Sequence, residues 1–232
     1  MTKSIKAWHF LHQNCRLSHG DGRLIRPGTT VTVPGPLVLY AHGLHASRRV
    51  MDALQQAPGP IVCRVVVSGE IVEDNGILNN NIFAGTRRYV EWMLDATWLL
   101  HEFACWCAER ALRRAKVKNE TLWAAIAAKR AWLADEITDK QLETAFIAAR
   151  SIAHSPTSPP PVRSIAYSVA SSAAYSAAYS AANSGAYSAA CSVAHSAARS
   201  AWYLASTGVP YAAETEAQER KLLRMFAEAP EQ

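Results

Sequence analysis

PIVCRVVVSGEIV, residues 60–72, is rich in β-branched side chains. Such residues fit a pleated, half-buried surface and are crowded at χ1 in a helix, so the stretch predicts a strand. Toward the N-terminus three more runs have the same character: IKAWHFL (Ile5–Leu11), TTVTV (Thr29–Val33) and LVLYA (Leu37–Ala41). HGDGR (His19–Arg23) and VPGP (Val33–Pro36) supply the turn residues between them. Ser47 stands where it can cap a short helix over RRVMDALQQA, which Pro58-Gly59-Pro60 must end. Residues 1–85 therefore read as a small β-sheet domain with one short helix.

Toward the C-terminus the pattern changes at about Arg87. Tyr89, Met93, Ala96, Leu100, Phe103 and Cys107 recur at spacings of four and three, flanked by Trp92, Leu99 and Trp106, which predicts a deeply buried helix. Asn119 and Thr138 look like the N-caps of two more helices. The second carries a Thr-x-x-Gln capping box to Gln141 and an apolar face of Leu142, Ala145, Phe146, Ala149 and Ile152. Residues 86–153 are thus expected to be a helical region packed on the sheet, followed by a proline-rich connector, HSPTSPPPVR, over 154–163. The fold class expected is α+β.

Residues 164–232 open with a ladder. Ten consecutive tetrads begin with serine, from Ser164 to Ser200, and nine of the ten have alanine in third place. Alanine makes a helix the default, and four residues advance an α-helix by about 400°, so the serine column drifts roughly 40° per tetrad. The ladder then presents no fixed serine face, and its small side chains favour close backbone approach. A single long helix and a pair broken at Asn183-Ser184-Gly185 both fit. Tyr167, Tyr175, Tyr179, Tyr187 and Tyr203 add bulk, which suits a self-association interface. A final amphipathic helix is expected from Tyr211 to about Glu228. A serine in every turn and a near absence of Leu, Ile and Phe argue against a membrane span in the ladder.

The formal charge of +5 is unevenly spread: residues 1–118 hold fifteen Lys/Arg against nine Asp/Glu, whereas Ser151–Pro210 holds only Arg163 and Arg199. An anionic ligand of the N-terminal part fits this balance. The five cysteines (Cys15, Cys63, Cys105, Cys107, Cys191) are odd in number and scattered, which points to reduced thiols. MTKSIKAWHF has no apolar signal-type core, and a cytoplasmic setting in a bacterial host cell is expected.

The densest group of reactive side chains is YAHGLHAS, residues 40–47. Its imidazoles, with Ser47 and the neighbouring arginines, can meet an anion, and an aromatic from the first strand can stack on a base. The candidate ligand-binding residues are Trp8, His9, His42, His45, Ser47, Arg48 and Arg49, with Glu70 as the one nearby carboxylate for ADP-ribosyl-type chemistry. No catalytic residue, metal or cofactor is assigned. His101 and Cys105 share a helix face but Cys107 points away, so zinc lacks a ligand set. There is no P-loop, G-x-G-x-x-G or G-x-S-x-G. The basic cluster Arg110, Arg113, Arg114, Lys116 and Lys118 sits at a helix end, where it favours the dipole, and nucleic acid is not the expected partner.

IKAWHFL, GPLVLYAHGLHAS, ALQQAPGPIVCRVVVSGEIVED and LHEFACWCAERAL resemble a domain of unknown function in bacteriophage and prophage proteins, over roughly residues 5–112. LWAAIAAKRAWLADEITDKQLETAFIAARSIA, the ladder and AQERKLLRMF are similar to alanine-rich bacterial immunity proteins. The resemblance implies a phage-type accessory or anti-defence role through non-catalytic binding of a host protein or a signalling molecule. The alternative is a nucleotide-binding protein, or an ADP-ribosyltransferase-like enzyme, using the HGLHAS loop.

Overall fold

The structure, a computed structural model, describes residues 4–17, 22–74, 81–158, 162, 163, 166 and 210–229. It is α+β and divides into two compact units, Met1–Thr97 and Trp98–Ala229.

The first unit is built on the hairpin of β4 (Ile61–Glu73) and β5 (Ile82–Asp95), paired antiparallel from Ile61↔Asp95 to Glu73↔Phe83. β1 (Ser4–Leu11) lies along the other edge of β4, from Ser4↔Ser68 to Leu11↔Ile61. β3 (Leu44–Ser47) pairs with β5, from Leu44↔Gly85 to Ser47↔Ile82, and meets β1 at one position, Trp8↔Ser47. These pairings close a ring of four strands, β1-β4-β5-β3, so the edges that would otherwise be open are satisfied within the unit. β2 (Thr30–Thr32) is added on β5. Ile5, Ala7, Leu11, Cys63, Val65 and Val67 supply the apolar inner face, as alternation along a strand requires. The short helix α1 (Val50–Gln55) buries Val50, Met51, Ala53 and Leu54.

The second unit contains α2 (Thr97–Arg114), α3 (Glu120–Leu133), α4 (Asp139–His154) and α5 (Tyr211–Ala227). Its core is made of small side chains between larger ones: Cys105, Ala108, Ala111 and Leu112 of α2 against Leu122, Ala125 and Ile126 of α3 and Ala149 and Ala153 of α4. Burying a leucine as fully as Leu122 or Leu142 contributes about 1.5–3 kcal/mol. Asn119 caps α3 by accepting from Leu122 N. Thr138 and Gln141 form the reciprocal capping box at α4. The carboxylate of Glu214 on α5 is buried and accepts from Arg110 Nε at 2.7 Å, tying α5 to α2.

Three expectations are corrected. Residues 87–95 are strand, and helix α2 begins only at Thr97. The cause is a bulge: Arg64 pairs with Trp92 and Val65 with Val90, leaving Glu91 as an extra residue. Inward positions therefore run Arg88, Val90, Met93, and the added step imitates a helical spacing. Secondly, Leu37–Ala41 is no strand. It turns back on itself through a bridge between Val38 and His42, with Tyr40 at φ 67°, and the strand follows at Leu44. Thirdly, Ser47 is buried in β3, and the N-cap of α1 is Arg49, without a side-chain cap bond. The serine ladder, its suggested break at residues 183–185, and Tyr167, Tyr175, Tyr179, Tyr187 and Tyr203 lie outside the described residues. Ala166 alone is described there, buried in the helical core.

Candidate functional site

A cavity of about 390 Å³ opens in the sheet unit between β1, the Tyr40–Gly43 turn, β3 and α1. Phe10, Val33, Leu44, Ala53 and Ile82 make its walls apolar, and His9, His42, His45, Ser47 and Arg88 bring polar groups into it. That balance is typical of a small-molecule site.

Strand pairing explains how the polar groups arrive. His9 faces Cys63 across the β1–β4 ladder, and Cys63 belongs to the inner core, so His9 points inward. Arg88 is opposite Val31 on one side and Val67 on the other, both core residues, and its side chain is 1% exposed. An arginine has thus been turned into the apolar interior. Its Nη1 donates to the carbonyl oxygen of His45 at 2.9 Å, and its Nε meets no acceptor.

The rest of the polar rim is held by the turn. His42 donates from Nε2 to the Pro34 carbonyl at 2.7 Å. His45 Nε2 accepts from the backbone N–H of Tyr40 at 2.8 Å, which requires an unprotonated nitrogen there. The Tyr40 ring stacks on the His45 ring at 6.5 Å and 25°, and 49% of Tyr40 is exposed. Gly43 lies between them at φ 137°, where a Cβ would come within 2.9 Å of Ala84 Cβ; only glycine fits this turn.

The electrostatics of the cavity are one-sided. Burial lowers Arg88 to about 10, which leaves it cationic at neutral pH. Burial first, then the charge of Arg88, hold His9 well below the usual histidine range, against the opposing hydrogen bond to the His45 backbone. His9 is therefore neutral. The Cys63 thiol, pushed up to about 12 by burial in spite of Arg88, supplies no thiolate. Among the described residues no carboxylate lines the cavity. A buried guanidinium with no counter-ion among the described residues is unfavourable by several kcal/mol, and an anionic ligand relieves that.

Of the residues expected to bind, Trp8, His9, His42, His45 and Ser47 border the cavity, whereas Arg48 and Arg49 do not. Arg48 is paired with Glu73 at 2.9 Å and lies over the Phe83 ring. The Trp8 indole is engaged by Arg64, 4.5 Å above it, and by the edge of Trp92. Neighbouring residues of a strand face opposite ways, so Trp8 and His9 do not form a joint stacking surface. Glu70 is exposed and not part of the lining. The residues that were missed are Arg88 and Tyr40. Treating 87–95 as strand would have set one of the Arg87-Arg88 pair inward, and the helical reading hid that signal.

In the helical unit Lys129 is fully buried over Trp132, with Nζ 4.1 Å from the ring centroid, and His101 meets the same indole edge-on. Burial pushes Lys129 down to about 7 and, with the charge of Lys129, His101 down to about 3. Arg110 and Arg114 flank Glu214, and Arg113 pairs with Glu109 at 2.6 Å. Much of the basic cluster is thus engaged within the unit. Among the described residues no three potential metal ligands gather, and no helix is long and apolar enough to cross a membrane. Cys15, Cys63, Cys105 and Cys107 are free thiols. No family model, curated protein or solved structure matches the chain.

Proposed function

We propose that the sheet unit binds a small anionic signalling molecule and releases it unchanged, and that the chain acts through this capture as a phage-type accessory protein against a host defence. The observation that carries the reading is Arg88: a buried cation, without a carboxylate among the described lining residues, on the wall of a cavity of about 390 Å³. Neutral His9 and a protonated Cys63 thiol leave that charge uncompensated, which favours an anion in the cavity. With no acid or base pair converging among the described lining residues, binding is favoured over turnover. The phage and defence setting comes from the resemblance of residues 5–112 and of the helical part.

Isothermal calorimetry on the full chain tests the reading, with a panel of mononucleotides, cyclic nucleotides, ADP-ribose, NAD and small carboxylates. At least one is expected to bind and to be recovered intact by chromatography. Absence of binding across the panel, or conversion of the bound compound, overturns the proposal.

A further inference from the structure

We infer that the cavity is shaped for a nucleoside monophosphate held with its phosphoryl group inward on the free edge of Arg88 and its base outward at the Tyr40–His45 pair. The inference rests on the preceding reading of the cavity as an anion site and names the ligand class and its direction.

Three observations lead to it. The first is the guanidinium. Nη1 is spent on the His45 carbonyl, whereas Nε has no acceptor. In a planar guanidinium Nε–H and one N–H of Nη2 lie parallel on one edge. That edge matches two oxygens of a phosphate or carboxylate, and bidentate pairing of this kind is the strong form of the contact. The second is the rim. Tyr40 is held at φ 67° by the turn, with its ring against His45 and about half of the residue open to solvent. An exposed aromatic held in this way is a platform on which a base stacks regardless of its identity.

His45 joins the two ends, since its carbonyl takes Arg88 and its ring takes Tyr40. Both ends thus meet on one residue, which a single ligand can span. The third observation is size. At about 390 Å³ the cavity is near the lower end of the roughly 300–1,000 Å³ occupied by small-molecule sites, a size that suits a single nucleotide. A single buried cation likewise suits one anionic group.

Calorimetry on the full chain compares AMP, GMP, CMP and UMP with adenosine, inorganic phosphate, benzoate and NAD. The monophosphates are expected to bind at least about tenfold more tightly than adenosine, phosphate, benzoate or NAD. Arg88→Lys keeps the charge but loses the two-pronged edge, and is expected to weaken AMP by about 10–100-fold. Tyr40→Asn keeps a residue that tolerates positive φ and removes the ring; it is expected to weaken AMP about tenfold while leaving phosphate unchanged.

Equal affinity for AMP and adenosine overturns the inward phosphoryl group. An unchanged Tyr40→Asn variant overturns the outward base. If benzoate or NAD binds best, this inference fails while anion capture stands; if nothing binds, the anion reading itself fails. The comparison of ligands on the unaltered chain decides the matter even where Arg88→Lys does not fold.

Discussion

Replacing Lys129 by methionine should make the helical unit more stable, and by an amount that depends on pH. Lys129 is fully buried, and burial lowers its ammonium from the usual 10.5 to about 7. A displacement of that size corresponds to an unfavourable contribution on the order of 5 kcal/mol while the lysine is charged in both folded and unfolded chains, well below pH 7. Between pH 7 and 10.5 the unfolded chain holds a proton that the folded one has released, so wild-type stability rises with pH at about 1.4 kcal/mol per unit. At pH 9 about 2 kcal/mol of the penalty remains. Methionine retains the unbranched stem and gives up the cation–π contact with Trp132, worth about 0.5–2 kcal/mol. Lys129→Met should therefore gain about 3–4 kcal/mol at pH 6, and that gain should shrink by about 3 kcal/mol at pH 9. Urea unfolding followed by tryptophan fluorescence and by helical dichroism measures both. A variant less stable than wild type at pH 6, or a gain that does not change with pH, would refute the reasoning.

Two other outcomes are expected. Acid should destabilise the helical unit through His101: its folded value of about 3 lies below the usual 6.5, so its contribution is complete above pH 6.5 and is lost as pH falls from there toward 3. His101→Gln should lower the slope of stability against pH in that window by about 1.4 kcal/mol per unit, and an unchanged slope in urea titrations at pH 6.5, 5.5 and 4.5 would contradict it. In the sheet unit Gly69→Ala should lose about 1–3 kcal/mol, because Gly69 sits at φ 85° and an added Cβ would collide with Thr86 Oγ1; a denaturation midpoint equal to wild type would show that the second break in the β4–β5 register, between Ser68 and Ile71, yields freely.

Much of the scaffold is legible where local chemistry and final structure agree. The β-branched runs at Ile5–Leu11 and Pro60–Val72 are strands, and Asn119 and Thr138 cap the helices that their side chains announce. What escapes the sequence is set by partners far away in the chain. The bulge at Glu91 exists because β4 and β5 differ in local length, a property of two strands that no window on one of them carries. LVLYA looks like a strand but has no neighbour to pair with, whereas the less β-prone LHAS is captured between β5 and β1. The cavity was half legible: the histidines at 9, 42 and 45 are there, while Arg88 shares a pattern with Arg87 and only the register of β5 tells the two apart.

Glu91 in this way acts as a parity switch. Just before it Arg88 and Val90, even-numbered, look into the core, and just beyond it Met93, odd-numbered, does. Removing that one residue would leave Trp92 opposite Arg64 and Met93 opposite Cys63 in plain alternation, so both side chains would keep their faces while the local bend is lost. A single-codon loss at this point would iron out the kink and keep the same residues inside, whereas the loss of either neighbour would keep the kink and shift what it displays.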